Sequence, residues 1–244
     1  MSCIVVIPAF DEEGSIGPVV RRALSFADRV IVADDGSQDG TVGCARTAGA
    51  QVLVLPHRGK GAAVRAALAQ LRDEGFDGTT VLMDADGEHE PADVLRFIRA
   101  VERGNDLVVG RRRVHRSHVR ALLNRLSTIF ISVLADVDAQ CGFRALSPRA
   151  LALPLTAEGY EIDLEMVLAA VAEGLAIGSL DITLRPARPS GIRPGDMVRI
   201  NAFFDRWVLS NIHRLPISPG VRIVLSLGAT GGLAFSTLLG RLLR

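Results

Sequence analysis

The chain has 244 residues, 48% hydrophobic and 23% charged, with 28 basic against 27 acidic side chains. That length supports one sizeable core, and the balanced charge excludes a polyanion-binding surface over the whole molecule, so nucleic acid is not an expected partner. Cys3, Cys44 and Cys141 show neither metal-ligand spacing nor a disulfide framework, which fits a reducing compartment.

In chain order, "CIVVIP" (3–8) is a short β-branched run that reads as a buried strand. Helical spacing follows at Ile16, Val19, Val20, Ala23 and Leu24. "RVIVADD" (29–35) is a second strand, and "DGSQDGT" (35–41) a turn that caps the next helix. "QVLVLP" (51–56) is a third strand, "GKGAAVRAALAQLRDE" (59–74) a helix and "TTVLMD" (79–84) a fourth strand. A helix after Pro91 leads to a fifth strand, "DLVVG" (106–110). This alternation predicts an α/β fold whose mainly parallel sheet is covered on both faces. Ligands of such sheets bind beyond the carboxyl ends of the strands, where 8–12, 34–37 and 84–88 all fall.

The second half predicts helices over 118–135, 161–173 and 196–215, with a strand or pair of strands over 175–186. The helix over 196–215 carries Phe203, Phe204 and Trp207 beside Arg199, Arg206 and Arg214, a composition suited to a bilayer surface. Residues 223–240 are uncharged; as a helix they reach roughly 27 Å, just short of a ~30 Å hydrocarbon core. The expected division is an α/β domain over 1–195, then over 196–244 an amphipathic helix and a hydrophobic C-terminal helix that lies on or spans a membrane. No basic segment followed by an apolar stretch opens the chain, so no secretory signal is expected.

"MDADGEHEP" (83–91) ends the fourth strand with Asp84, Asp86 and Glu88 spaced two apart. Such carboxylates repel one another unless a cation sits among them. Three familiar ligand loops are excluded. "RGKGAAV" (58–64) lacks the third glycine of a dinucleotide site, and equally the upstream glycine and trailing Ser or Thr of a P-loop. "DADGEHE" has its glycine at the fourth place of a calcium loop, where the sixth is required.

The ordered set "IPAFDEEGSI", "VIVADDGSQDGT", "GKGAAVRAAL", "VLMDADGEHEP", "VVGRRR" and "DAQCGFRAL" resembles the family 2 glycosyltransferases of the GT-A fold. Within them it looks like the polyprenyl-phosphate, dolichyl-phosphate mannose synthase-like branch, over roughly residues 3–195. The resemblance implies an inverting transfer of a hexose from a nucleotide sugar, most commonly mannose from GDP-mannose, to a polyprenyl phosphate at the cytoplasmic face of a membrane. It assigns Asp84, Ala85 and Asp86 to the Asp-x-Asp element, with Asp84, Asp86 and Glu88 as the metal set for Mg²⁺ or Mn²⁺. Pro8, Phe10, Glu12, Asp34, Asp35 and Lys60 fall to the nucleotide sugar, with Asp35 as the acid that meets the base. Arg112, Gln140 and Arg193 fall to phosphate or acceptor, and Asp86 and Asp138 to catalysis. A homo-oligomer is left open.

An alcohol acceptor needs a general base, whereas a lipid phosphate is already anionic. His57 and His89 read as solvated, leaving Asp138 or Glu165 for an alcohol. The alternative reading is a family 2 enzyme using UDP-glucose or another donor with a non-lipid acceptor. A nucleotidyltransferase is disfavoured because "PAFDEEGS" is acidic where a triphosphate would bind.

Overall fold

The computed structural model describes residues 2–112, 137–186 and 194–217, together with 222, 226, 229 and 230. The first apolar run becomes β1 (Cys3–Ala9), which lies between β2 (Arg29–Asp34) and β4 (Thr79–Leu82) and is parallel to both. Val5, Val6 and Ile7 are fully buried there. Each such side chain contributes roughly 1.5–3 kcal/mol relative to exposure. β3 (Gln51–Val54) pairs with β2 at the edge of the sheet. The expected strand over 51–56 is therefore shorter, and with no strand beyond it among the described residues Val54 is 57% exposed.

Beyond β4 the sheet continues through β6 (Arg144–Leu146), β5 (Leu107–Arg111) and β7 (Ile177–Asp181), in the order β3-β2-β1-β4-β6-β5-β7. Among the described strands β6 alone runs antiparallel to its neighbours. β6 is absent from the sequence reading, because three residues carry no periodicity. The strand or strand pair expected over 175–186 is the single strand β7, after which Leu184 makes an isolated bridge to His89.

The helices are α1 (Glu13–Ala23), α2 (Thr41–Thr47), α3 (Lys60–Asp73), α4 (Val94–Glu102), α5 (Pro148–Leu151), α6 (Ile162–Ala172) and α7 (Pro194–Asn211). Right-handed crossovers put α1 and α2 on one face, and α3, which runs back from β3 to β4, on the other. The chain reverses direction across the sheet between β1 and β4, a switch point where a crevice forms beyond the strand ends. α4 buries Val94, Phe97 and Val101, one face of a helix, and leaves Leu95 exposed.

α6 is buried from Ile162 to Ala170 without a break, so it is an interior helix packed against α3. Met197, Ile200, Phe204 and Val208 of α7 are buried in the same core as the sheet, with Phe203 and Trp207 packed half-buried against it. Among the described residues no helix is long and apolar enough to cross a membrane. The helix expected over 118–135 and most of the uncharged run 223–240 lie outside the described residues.

Candidate active site

The loops after β1 and β2 are stitched together by short polar side chains. Asp11, at φ 53°, donates its N–H to Ser37 Oγ at 2.9 Å, while its Oδ1 accepts from Gln38 N–H at 2.8 Å. Pro8 sits in β1 opposite Ala33, and the Glu12 N–H donates to Thr41 Oγ1 at 2.7 Å. The Glu12 carboxylate accepts from the Ser15 hydroxyl, holding it at the start of α1.

Asp35 is buried and its carboxylate is occupied by the start of α3. Oδ1 accepts from Arg58 N–H at 2.8 Å and Gly59 N–H at 3.0 Å, and His57 Nδ1 lies 2.8 Å from Oδ2. Asp34 is fully buried; its Oδ2 accepts from Ser37 N–H, and its Oδ1 has no hydrogen-bond partner among the described residues. An exposed aromatic stack also stands at this rim. Phe10, 42% exposed, stacks on His57 with ring centroids 4.3 Å apart. His57 is solvent-exposed as expected, and its ring is anchored at Nδ1 by Asp35.

The acidic loop after β4 is the charged centre. Lys60 Nζ, at the start of α3, donates to Asp84 Oδ1 at 2.8 Å and to Asp163 Oδ2 of α6 at 2.9 Å. Burial alone would lower the lysine pKa and raise that of Asp84. At Lys60 the charges and hydrogen bonds of Asp163 and Asp84 together outweigh burial, and at Asp84 the charges of Lys60, His89 and Arg112 with the Lys60 hydrogen bond together do so, which leaves the pair ionised. Burial and then the neighbouring Asp84 charge push Asp86 above the usual carboxylate range. Ala85 between them is buried.

His89 is buried, not solvated as the sequence suggested: its ring stacks on Phe143 at 4.9 Å and its Nδ1 accepts from Asp84 N–H at 3.3 Å. Asp86 Oδ1 accepts from Glu88 N–H at 2.9 Å. Among the described residues no three His, Cys, Asp or Glu side chains are placed together to hold a metal ion. The expected set of Asp84, Asp86 and Glu88 is therefore not assembled, because Asp84 turns to Lys60 while Asp86 closes its own turn.

On the far side, Arg112 Nε and Nη2 donate to the two oxygens of Asp138 at 2.8 and 3.0 Å. Burial alone would raise Asp138, but the hydrogen bonds and charge of Arg112 hold it below the usual range. Gln140 N–H donates to Asp138 Oδ1 at 3.3 Å in the same loop. Glu165, the other candidate base, is buried with both oxygens accepting from Thr156 and Ala157 N–H groups, so it anchors a loop. Arg193 lies outside the described residues. The thiols of Cys3 and Cys141 are buried and pushed up to about 12, which removes them as nucleophiles.

A Cβ built on Gly142 would stand 2.4 Å from Asp84 Oδ2. Only glycine lets the 138–142 loop lie this close to the aspartate. Gly142→Ala is expected to displace Asp84 and lower activity at least ~10-fold, a loss of roughly 1.4 kcal/mol in transition-state stabilisation; steady-state rates beside a thermal melt check it.

The sequence reading assigns no role to Asp163 or Arg144, whereas Gly142 falls, with Asp138 and Gln140, in the segment that the resemblance assigns to the acceptor side. Asp163 sits in an otherwise apolar stretch, "EIDLEMVLAAVAEG", where a buried acid without a nearby base in sequence was the available signal.

The family model for glycosyl transferase family 2 matches residues 4–136. The chain is 32% identical over 199 residues to glycosyltransferase AglJ of Haloferax volcanii, covering 77% of this chain and 64% of AglJ. It is 32% identical over 206 residues to undecaprenyl-phosphate mannosyltransferase of Micrococcus luteus, covering 75% and 83%. The fold superposes with a TM-score of 0.69 on glucosyl-3-phosphoglycerate synthase of Mycobacterium tuberculosis, solved with Mn²⁺, uridine diphosphate and glucosyl-3-phosphoglycerate, at 25% identity and 89% and 81% coverage. The fold and its charged crevice are those of a glycosyltransferase. The chain belongs to glycosyl transferase family 2.

Proposed function

We propose that this enzyme is an inverting, metal-dependent transferase that moves mannose from GDP-mannose to a polyprenyl phosphate. One observation carries the acceptor class: both candidate bases are engaged, Asp138 by Arg112 and Glu165 by the 156–157 backbone. An acceptor that is already anionic needs neither. The name of the Micrococcus luteus relative supports the same acceptor.

In this reading the exposed Phe10–His57 stack offers a face to the nucleobase. Asp84 and Asp86 are the residues that would hold Mg²⁺ or Mn²⁺. They fit such an ion: the donors are all oxygen, Gly142 leaves the Asp84 carboxylate uncovered, and the Asp84 charge that raises Asp86 is the repulsion a cation relieves. Two carboxylates suffice when substrate phosphates complete the shell. When bound, the cation supplies Lewis-acid stabilisation of the departing diphosphate. Arg112, fixed in its plane by Asp138, is presented to a phosphate group. An acceptor phosphate oxygen attacks the anomeric carbon, the new C–O bond forms as the bond to nucleoside diphosphate breaks, and no proton has to move.

The uncharged run 223–240 is the segment we assign to the membrane, with the active site at its cytoplasmic face. A second reading, UDP-glucose with a soluble phosphorylated acceptor, is favoured by the fold match to glucosyl-3-phosphoglycerate synthase. The test is the full chain in its membrane fraction with Mn²⁺, radiolabelled GDP-mannose or UDP-glucose, and a polyprenyl phosphate. Label is expected in the organic phase with GDP-mannose. Label that stays in the aqueous phase with both donors overturns the lipid acceptor.

A further inference from the structure

Lys60 Nζ holds two ion pairs at once. Its side chain is 15% exposed and bridges two carboxylates on different elements, Asp84 after β4 and Asp163 in α6. Asp163 faces a second cation, since Arg144 Nε lies 3.8 Å from its Oδ1. Asp84, Lys60, Asp163 and Arg144 therefore alternate in sign along a single row.

The row is built by close backbone approach. Gly59 has φ +112°, and a Cβ there would lie 2.6 Å from Glu158 O. The carbonyl of Glu158 also accepts from Ala62 N–H at 3.0 Å. Residues 157–159 thus press against the start of α3, and the first turn of α6, which follows them, brings Asp163 to Lys60. Glycine at 59 is required for that contact.

An ammonium on a flexible four-carbon stem that holds two carboxylates has two places to go. A divalent ion on Asp84 repels an ammonium bonded to the same carboxylate, while the Asp163 bond of Lys60 needs no new partner. We propose that Lys60 is the resident counter-cation of Asp84, released onto Asp163 when a divalent ion takes the aspartate, so that Asp163 is a positioning residue for metal loading. The proposal rests on the reading of Asp84 as a metal ligand. It adds that the chain carries its own competitor for the site, together with the acceptor that removes that competitor. Ion-free, the row keeps Asp84 from standing unpaired beside Asp86. Loaded, it keeps Lys60 paired as well.

The test is Mn²⁺ binding to the full chain, read from the spin-resonance signal of free Mn²⁺ with GDP present and no acceptor. Asp163→Asn leaves Lys60 only Asp84 to hold, so Mn²⁺ affinity is expected to fall ~10-fold. Lys60→Met removes the competitor, so affinity is expected to rise ~10-fold, with Lys60→Gln as a second neutral variant should the first not fold. Opposite signs are the signature, because damage to the fold weakens binding in both. Asp84→Asn is expected to abolish binding in every background. Asp84-dependent binding that shifts in the same direction in the Lys60 and Asp163 variants, or in neither, overturns the counter-cation proposal and leaves the metal site standing. Wild-type binding no stronger than that of Asp84→Asn overturns the metal reading and this proposal together.

Discussion

Asp86→Ala is expected to lower sugar transfer by ~10²–10⁴ while leaving the fold intact. A metal ligand acts on the charge that develops as the diphosphate departs, and a Lewis acid there is worth several kcal/mol, each ~1.4 kcal/mol being tenfold in rate. The side chain does little for stability, because its Oδ1 only closes a local turn by accepting from the Glu88 N–H two residues on. Burial and the Asp84 charge raise its pKa, so the ionised carboxylate destabilises the folded state at neutral pH. The sign follows. A carboxylate whose folded pKa lies above its unfolded one loses stability as pH rises through that window. The wild type therefore gains stability relative to Asp86→Ala on acidification. Transfer rates and melts of the two proteins at neutral and mildly acidic pH check both halves; a variant that melts early at neutral pH yet transfers sugar normally contradicts them.

Arg144→Met is expected to have the largest effect on stability, about 3–5 kcal/mol. The guanidinium is fully buried in β6; Nε donates to Cys141 O at 2.7 Å and Nη2 to Ala139 O at 2.6 Å. Removing it leaves two carbonyls unmet and leaves Asp163 without its second cation, so a buried charge loses compensation. For a chain of this size the loss corresponds to a melting temperature lower by roughly 6–20 °C. Activity falls with it, because those two carbonyls belong to the loop that carries Asp138, Gln140 and Gly142. Arg149→Met is the control: Arg149 pairs with Asp106 at 2.9 Å, but its side chain is 68% exposed. Asp106 is buried but keeps its hydrogen bonds from Ser147 Oγ and the Ala176 N–H, and the solvated Arg149 adds little to it, so that variant is expected to melt far closer to the wild type than Arg144→Met. Calorimetry on the three proteins decides it.

The contrast between Arg144 and Arg149 also shows what a sequence can and cannot disclose. Both are arginines five residues apart in "FRALSPRAL", and nothing local distinguishes them. Burial separates them, and burial depends on strands β4 and β5 closing over β6 from either side. The same holds for Asp35. Its position in "ADDGS" marks a turn and a possible ligand, but its acceptors are consumed by N–H groups 23 and 24 residues further on. Glu165 follows this pattern too, since its partners at 156–157 are set by how the loop before α6 packs.

By itself the sequence determined the alternation of strands and helices, the parallel sheet, and the place of the acidic loop at the strand ends. Those follow from apolar periodicity and from turn residues, which act within a few positions of one another. It also carried the family, through the order of its motifs. Only the tertiary structure decided which charges meet. Lys60, Asp84, Arg144 and Asp163 come from four different elements, and Coulomb interaction acts through space with no record in chain spacing.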